Sequence, residues 1–359
     1  MQLQIKTSVL QEMVGKAIKC SSNNKLIPIT SLMNVKVKNG TFYLTTTDAT
    51  NYFYVKSGEK VECEDFEISV IADNFTKLIQ KTTSENVILD YEGNSLKVKG
   101  NGEYNIELPL DENGGPIKFP AMADLQMAVG CGTISSEAVK SALDYNKSSL
   151  STSLSYPALT CYYCGDSIIT SNQIKICANK VKAFDEPTLI SGQLMELLGV
   201  LSNNIEIMKT EDKIIFSTDL ECIISNSNTS VDGFPLVPIQ GLLDSSLDSS
   251  CVIPKDVVLN VLDRLSLFMS SYDNKGIDIV VTKDGVMFRT TSSNGVEVVP
   301  YTDSQNFTDY ACRINIEVLK EQISTHTTND IKFYYGNPKI IKLESGNITQ
   351  IIALMEDGQ

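Results

Sequence analysis

Cys161 and Cys164 form a lone C-x-x-C pair in the segment LTCYYCGDS. A tetrahedral metal site needs a second pair of ligands, and the single histidine of the chain, His326, is far away in sequence. A thioredoxin-like redox site needs a βα setting, whereas this segment has the pattern of a strand that runs into a turn. Residues three apart on a strand point to opposite faces. We therefore expect two buried thiols without a metal or redox role.

His326 lies in STHTTND, a polar stretch at the end of a predicted helix. There we expect its imidazole to interact with the helix dipole rather than to act as a general base. The sequence has no G-x-x-x-x-G-K-[ST] phosphate loop, and GNGEYN at 100–105 lacks the strand–helix setting of a dinucleotide site. We therefore expect no catalytic residues, no metal and no cofactor, and a binding protein rather than an enzyme.

The composition is that of an acidic globular protein, with 359 residues, a net charge of −14 and nine cysteines. An odd number of irregularly spaced cysteines in a chain this long does not favour a disulfide framework. The N-terminal stretch lacks the pattern of a signal peptide, and no run approaches the roughly 18 apolar residues of a membrane span. We expect a cytoplasmic protein that does not enter a membrane.

A hairpin pattern occurs three times, at 84–100, 202–218 and 328–346, and each copy follows a stretch with helical periodicity. A spacing of more than 100 residues indicates copies of a whole domain rather than a solenoid. Polar, turn-rich stretches at 111–116 and 240–250 are typical of linkers between such domains.

The repeat predicts an α+β fold of three similar domains, at 1–120, 121–245 and 246–359. In each domain, two helices pack on antiparallel sheets. Ser8 is expected to cap the first helix. The six predicted helices span 8–20, 70–81, 136–147, 191–201, 254–265 and 315–325.

The six predicted helices together carry no net charge, so the charge of −14 lies outside them. Two interpretations stay open. Helices that pack on a sheet are commonly apolar and small polar, or an acidic protein keeps one face neutral for a polyanion that its other surfaces would repel. The candidate cations on the helical face are Lys16, Lys19, Lys77, Lys81, Lys140, Lys147 and Arg264.

Three segments resemble the bacterial-type β sliding clamps, the processivity factors of replicative DNA polymerases. KLIPITSLMNVKVKNGTFYLTTTDATNYFYV at 25–55 resembles the L-P-I-L and L-T-x-T-D pattern near the N-terminus of that family. VDGFPLVP at 231–238 resembles a run late in the middle domain, and IIALMED at 351–357 resembles the final strand. The resemblance covers the whole chain in order and length, so the architecture carries it more than any one motif.

The resemblance implies a head-to-tail homodimer in which each chain forms half of a ring. Helices would line the hole around double-stranded DNA, which the ring encloses without reading its sequence. Lys25 matches a position where the family commonly has a basic DNA-facing residue. The subunit interface would join Tyr104 and Ile106 to Phe268 and Met269, although these four residues also suit an ordinary core.

The family also binds DNA polymerase and the clamp loader through short peptide motifs in an apolar pocket. Two departures from the family, TSNQIK at 170–175 in place of a TDGHRL-like run and MEDGQ at 355–359 without the usual proline, indicate a divergent clamp with its own peptide preference. Such a clamp suits a phage or a mobile element. Carried over, the pocket would be formed by Thr170, Phe234, Pro235, Val237, Leu354 and Met355.

We therefore predict a DNA sliding clamp that tethers a replicative DNA polymerase for processive synthesis. The alternative is a clamp-like interaction scaffold of repeated domains that does not encircle DNA. An enzyme with an unfamiliar constellation is a third alternative. A stable dimer is required by the first function and not by the second.

Overall fold

The computed structural model describes residues 1–121, 127–182, 184–226, 229–269 and 274–355. These residues fold as an α+β protein of antiparallel sheets and short helices, which confirms the predicted fold class. Within the described ranges, no helix is long and apolar enough to cross a membrane.

Strands and helices are labelled in chain order. The strands are β1 (Gln2–Lys6), β2 (Leu32–Lys38), β3 (Thr41–Thr47), β4 (Asn51–Lys56), β5 (Phe66–Ile71), β6 (Asn86–Glu92), β7 (Ser95–Lys99), β8 (Glu103–Glu107), β9 (Val129–Ser135), β10 (Cys161–Cys164), β11 (Ile168–Ser171), β12 (Lys175–Asn179), β13 (Thr188–Ser191), β14 (Asn204–Lys209), β15 (Ile214–Ser217), β16 (Glu221–Ser225), β17 (Ser249–Pro254), β18 (Gly276–Thr282), β19 (Gly285–Thr290), β20 (Val296–Val299), β21 (Ser304–Gln305), β22 (Tyr310–Asn315), β23 (Asp330–Tyr335), β24 (Ile340–Ser345) and β25 (Ile348–Ala353). The helices are α1 (Thr7–Ala17), α2 (Ala72–Gln80), α3 (Ser136–Tyr145), α4 (Gly192–Leu198), α5 (Leu236–Leu243), α6 (Lys255–Ser266) and α7 (Ile316–Thr325).

The chain divides into two compact units, and its middle third contributes to both. Unit 1 consists of residues 1–136 and 193–229, and unit 2 consists of residues 137–192 and 230–359. The division into three repeated domains stays a prediction beside these two units.

Unit 1 has two antiparallel sheets, with strand orders β1-β6-β7-β8 and β5-β2-β3-β4-β16-β15-β14-β9. In the larger sheet, β4 from the first third of the chain pairs with β16 from the middle third, so that Phe53 lies opposite Ile223. Helices α1 and α2 bury Leu10, Met13 and Phe75. Strand pairing and apolar burial therefore join the two parts of the chain in one core.

Unit 2 repeats this construction. Its sheets have the orders β13-β10-β11-β12-β25-β24-β23-β17-β21 and β20-β19-β18-β22. Strand β12 from the middle third pairs antiparallel with β25 from the last third, and Ile176 lies opposite Ile351. Helix α6 buries Val261 and Leu265, which pack in one cluster with Leu319 of α7.

The three repeated hairpins are confirmed as β6–β7, β14–β15 and β23–β24. The stretch predicted as a linker at 240–250 begins inside α5 and ends inside β17, so that prediction is wrong. It failed because the apolar run from Leu236 to Leu243 packs as a helix, and Ser249 and Ser250 are buried by strand pairing.

The predicted helix cap at Ser8 is also wrong. Helix α1 starts at Thr7, directly after β1, and its preceding residue Lys6 makes no side-chain capping bond. The backbone N–H of Thr7 donates instead to the carbonyl of Glu85, at 3.0 Å. A neighbouring backbone carbonyl therefore satisfies one of the N–H groups that the first turn of a helix leaves without a partner.

Of the residues considered for chemistry, Cys164 and His326 are buried, whereas Cys161 is half-buried and not buried as expected. Burial raises the pKa of the Cys161 and Cys164 thiols, which lie on β10. His326 is buried, with Nε2 2.9 Å from Gln350 Oε1 and Nδ1 against Ser345 Oγ. Burial lowers its pKa to about 4, so the imidazole is neutral and the expected role as a helix-dipole partner is wrong. The described residues contain no cluster of three or more His, Cys, Asp or Glu that could hold a metal.

Candidate nucleic-acid interface and partner groove

Helices α1 and α2 of unit 1 are cross-linked by glutamine side chains. Gln11 Nε2 donates to the carbonyls of Ile79 and Thr82, at 3.1 and 2.9 Å. In return, Gln80 Nε2 donates to the Gln11 carbonyl at 2.7 Å. These hydrogen bonds join the two helices that carry Lys16 and Lys77.

Four of the predicted DNA-facing cations are exposed and make no ion pair with any described residue. They are Lys19, Lys25, Lys81 and Lys140. Lys147 is exposed as well. The four lysines without an ion pair are available to a phosphate backbone.

Two further exposed candidates are balanced by carboxylates of their own unit. Lys77 Nζ lies 2.6 Å from Asp73 Oδ2, one helical turn away on α2. Arg264 binds Glu297 through both Nε and Nη2, at 2.9 and 2.6 Å. These pairs lower the positive potential that the two cations offer to a polyanion.

Lys16 is the least exposed of the predicted DNA-facing cations. Its side chain is 19% exposed, and Nζ lies 2.7 Å from Glu12 Oε1 and 2.6 Å from Glu221 Oε1. Burial alone would lower its pKa, but the two carboxylates outweigh burial and raise it. Lys16 therefore stays charged and forms two ion pairs within unit 1.

Strand β8 is an edge strand of the smaller sheet of unit 1. Tyr104 and Ile106 lie on one face of it, opposite Val98 and Leu96 of β7. The Tyr104 side chain is 46% exposed, whereas Ile106 is half-buried. An edge strand with an exposed aromatic residue is a ready template for another strand.

Strand β20 is an edge strand of the smaller sheet of unit 2. Val296 and Val298 on its face are 55% and 47% exposed. Phe268, which follows α6, is exposed and lies beside Gly295 at the start of β20, while Met269 packs partly against the core. The predicted pair Phe268 and Met269 is thus split between surface and core.

An apolar groove of about 710 Å³ opens on unit 2. One wall is formed by the start of a short 3₁₀ segment at Pro157–Thr160 and the residues before it, and the other by α5. Its apolar lining residues are Tyr156, Pro157, Ala158, Leu159, Ile176, Pro235, Pro238, Ile239 and Leu242.

The groove floor is held by aromatic stacking and by a tight turn. Phe234 and Tyr163 stack with ring centroids 5.2 Å apart. Before α5, Phe234 N–H donates to the Val231 carbonyl at 3.1 Å, and Gly233 has φ +80°. A glycine tolerates this backbone conformation where other residues are strained. The turn therefore positions α5 along the groove.

The residues predicted for the partner pocket occupy different places. Pro235 lines the groove, and Phe234 lies beneath it in the core. Thr170 is fully buried, and its hydroxyl donates to the Asn146 carbonyl at 2.9 Å. Val237 is 79% exposed and does not line the groove.

Leu354 and Met355 line a second pocket of unit 2 rather than the groove. The segment that resembles the final family strand forms β25 up to Ala353, and Glu356 and Asp357 lie outside the described residues.

The prediction from sequence missed Tyr156, Leu159 and the inner face of α5. One signal was present, because SYPAL at 155–159 repeats the spacing of LIPIT at 26–30, ahead of a strand in both thirds.

Comparisons with known proteins agree with this fold. Residues 1–113 match the family model for the DNA polymerase III beta subunit, N-terminal domain. The search of curated proteins found no match. Over 100% of both chains, the structure superposes on DNA polymerase III subunit beta from Borrelia burgdorferi, with a TM-score of 0.83 and 15% identity. The DNA polymerase sliding clamp from Bacillus subtilis gives 0.84 at 15% identity over 99% of both chains. The beta subunit from Streptococcus pyogenes gives 0.86 at 13%, over 99% of this chain and all of that one.

The chain thus has the fold of the bacterial DNA polymerase sliding clamps over its whole length. Its first 113 residues match the family model of DNA polymerase III beta subunit N-terminal domains, and its identities to these three solved structures are low, at 13–15%.

Proposed function

We propose that this protein is a DNA sliding clamp that encircles duplex DNA as a ring-shaped homodimer and tethers a replicative DNA polymerase. The observation that carries the proposal is the likeness to solved clamps over the full length of the chain, together with the family match of residues 1–113. The proposed role is non-catalytic and cytoplasmic, and each of the domains 1–120, 121–245 and 246–359 supplies two helices to the ring.

The pairing of sheet edges supports a head-to-tail dimer. In unit 1, β4 ends the β2–β3–β4 meander and pairs with β16, which ends β14–β15–β16. In unit 2, β12 ends β10–β11–β12 and pairs with β25 in the same antiparallel way. Two meanders, β18–β19–β20 and β6–β7–β8, are left. Their third strands, β20 and β8, lie at sheet edges. We propose that β20 of one subunit pairs with β8 of the other, twice, which closes the ring.

The side chains at these edges suit such pairing. Tyr104 and Ile106 on β8 would pack against Val298 and Phe268 beside β20, so that exposed apolar surface is removed from water. Arg264 and Glu297 form an ion pair, so neither side chain brings an unpaired charge to this edge.

DNA binding in this proposal is weak and independent of sequence. Exposed lysines that make no ion pair with a described residue, such as Lys19, Lys25, Lys81 and Lys140, would contact phosphates, while the enclosing ring provides retention. A polymerase or a clamp loader would insert apolar side chains of a short peptide into the groove beside α5.

A solution-mass measurement tests the dimer and separates the clamp from a scaffold that does not close. We expect the wild-type protein to be a dimer at low micromolar concentration and Val298→Asp to be a monomer, because a carboxylate would be buried at the subunit edge. Val237→Asp is the matched control, since Val237 is exposed in α5, and it should remain dimeric. A wild-type monomer at all concentrations would contradict the ring.

A further inference from the structure

A slot of about 830 Å³ opens in unit 1 beside strand β1. One wall is formed by β1 and the neighbouring strand β6, and the other by the loop that follows β4, at 57–62. The first half of α1 and the turn at Leu220 line the rest. We call this cavity the β1 slot.

The strand wall of the β1 slot is an open sheet edge. Strand β1 comes first in the order β1-β6-β7-β8, so β6 is its partner among the described strands. Met1 and Tyr91 exchange two backbone hydrogen bonds, each of 2.8 Å, and at the other end Thr7 N–H donates to the Glu85 carbonyl. Because hydrogen-bonded residues alternate along an antiparallel pair, the odd-numbered residues of β1 are the ones that bond to β6.

The even-numbered residues of β1 therefore turn their backbone N–H and C=O groups away from β6. By this alternation Gln2 and Gln4, which line the β1 slot, lack a backbone partner in the described part of the chain. Such an edge forms main-chain hydrogen bonds with an added strand. The cavity supplies the room for one, because paired strands lie about 4.8 Å apart.

The loop wall of the β1 slot is acidic. Glu59 and Glu62 are exposed, line the slot and make no ion pair with a described residue. Lys60 does not neutralise them, because its Nζ donates to the Asn39 carbonyl and to Thr41 Oγ1, both at 2.9 Å. Two carboxylates without a cationic partner along one wall favour a ligand with basic side chains.

The end of the β1 slot at α1 offers apolar contact. Val9 is 37% exposed and Leu220 is 43% exposed. Both also line a smaller adjoining cavity of about 60 Å³, together with Val55. The charged residues at this end, Lys6 and Glu12, have opposite signs. An apolar side chain of a bound strand is therefore favoured here.

We propose that the β1 slot binds an extended segment of a partner protein as an added strand beside β1. The segment carries basic side chains towards Glu59 and Glu62 and an apolar side chain towards Val9 and Leu220. The slot is separate from the groove of unit 2, and β8 is the opposite edge of the same sheet. A ring closed through β8 would leave the slot open, and the inference does not depend on the ring.

Fluorescence anisotropy on the full-length protein tests the charge preference. The probe is a fluorescein-labelled, C-amidated peptide, Lys-Val-Lys-Thr-Lys-Val-Lys, and its counterpart has Glu in place of every Lys. The Lys peptide should bind at least roughly tenfold tighter at low salt, and the difference should shrink at high salt. Equal binding of the two peptides, or binding of neither, would overturn the proposal.

Backbone N-methylation of the Lys peptide separates an added strand from attraction between charges alone. Two further peptides are N-methylated at the even-numbered or at the odd-numbered residues, whose N–H groups point to opposite edges of a strand. One of these peptides should bind at least roughly tenfold more weakly, and the other should lose less than about threefold. Equal losses in both peptides would overturn the proposal.

Substitutions on each wall of the β1 slot locate the binding. Gln4→Pro removes an N–H that points to the slot and no hydrogen bond between β1 and β6, so it should abolish binding of the Lys peptide. Gln4→Ala keeps that N–H and should bind as the wild type does.

A charge reversal on the loop wall leaves β1 untouched and tests the slot even where proline in β1 impairs folding. The double variant Glu59→Lys, Glu62→Lys should abolish the preference for the Lys peptide. Its matched control is Glu112→Lys, Glu211→Lys, which reverses two exposed carboxylates of unit 1 outside the slot.

Three outcomes would overturn the proposal. The first is a preference for the Lys peptide that persists in the Glu59→Lys, Glu62→Lys variant. The second is loss of binding in Leu242→Arg, which would assign the peptide to the groove of unit 2. The third is a lower native mass of Gln4→Pro with no binding of either peptide, which would make a second copy of this chain the occupant of the slot.

Discussion

Lys16 Nζ lies 2.6 Å from Oε1 of Glu221, and this ion pair joins α1, in the first third of the chain, to the start of β16, in the middle third. Glu221 is 2% exposed at its side chain and also accepts hydrogen bonds from Ser202 and Thr218. Burial alone would raise the pKa of Glu221, but the hydrogen bonds from Lys16, Thr218 and Ser202 outweigh burial and lower it. A buried carboxylate that accepts from three side chains therefore stabilises the pairing of β4 with β16.

We expect Glu221→Gln to lower the free energy of unfolding by roughly 2 kcal/mol, because Lys16 loses its buried partner. The folded-state pKa of Glu221 is depressed, so its stabilisation is present above the unfolded-state value of about 4.3 and is lost as the pH falls through the folded-state value. Urea unfolding at pH 7 and in acid measures both effects. Glu12→Gln, which removes the exposed partner of the same lysine, should cost less than about 1 kcal/mol. Equal effects of the two variants would contradict this account.

Lys81→Ala should weaken DNA binding to a similar degree on every sequence and reduce the slope of log K against log salt by roughly one. Lys81 is exposed at the end of α2 and has no carboxylate partner among the described residues. Lys16→Ala should change DNA binding less, because its charge is already balanced by Glu12 and Glu221. Lys97→Ala on β7 is the exposed control on a strand. A larger effect of Lys97→Ala than of Lys81→Ala would contradict DNA contact through the helical face.

Gly233→Ala should lower the free energy of unfolding by roughly 1–2 kcal/mol and weaken peptide binding in the groove, because φ +80° strains a residue with a Cβ. An added methyl group meets no atom within 4 Å there, so the cost is conformational. Gly241→Ala has the same open surroundings but lies in α5, and it should raise stability by up to about 1 kcal/mol. Thermal unfolding that shifts in the same direction for both variants would refute the turn argument.

The buried His326 should make unit 2 less stable in mild acid. Its folded-state pKa of about 4 lies below the unfolded-state value of about 6.5, so the unfolded chain takes up the proton first. Stability is therefore lost as the pH falls from about 6.5 towards 4, by roughly 2–4 kcal/mol in total. Because the chain has a single histidine, His326→Gln should remove this loss, and the same slope in both proteins would contradict the assignment.

The strands of the repeated hairpins were predictable because each alternates apolar and polar residues around a turn. Val87, Leu89, Leu96 and Val98 are buried, as that alternation requires on a half-buried sheet. The helices were predictable from periodicity, although α2 begins two residues later than predicted because Val70 and Ile71 still belong to β5. Local patterns of this kind need no knowledge of the rest of the chain.

The candidate sites depend on contacts that local patterns do not encode. Lys16 and Glu221 are 205 residues apart, so charge counting placed Lys16 on an open face while the fold pairs it. Asp278, Arg289 and Arg313 come together through the register of three strands, which brings Asp278 between the two arginines. The groove arises where α5 packs over the segment at Pro157, and the second half of α5, from Gln240, lay in the stretch predicted as a linker.

In the proposed function, the protein holds DNA by enclosing it. Retention should be measured on a nicked circular duplex and on the same duplex after linearisation, after loading and in high salt. We expect long-lived retention on circles and rapid loss from linear DNA, since a ring slides off free ends. Equal retention on both forms, or none on circles while the protein is a dimer, would contradict it.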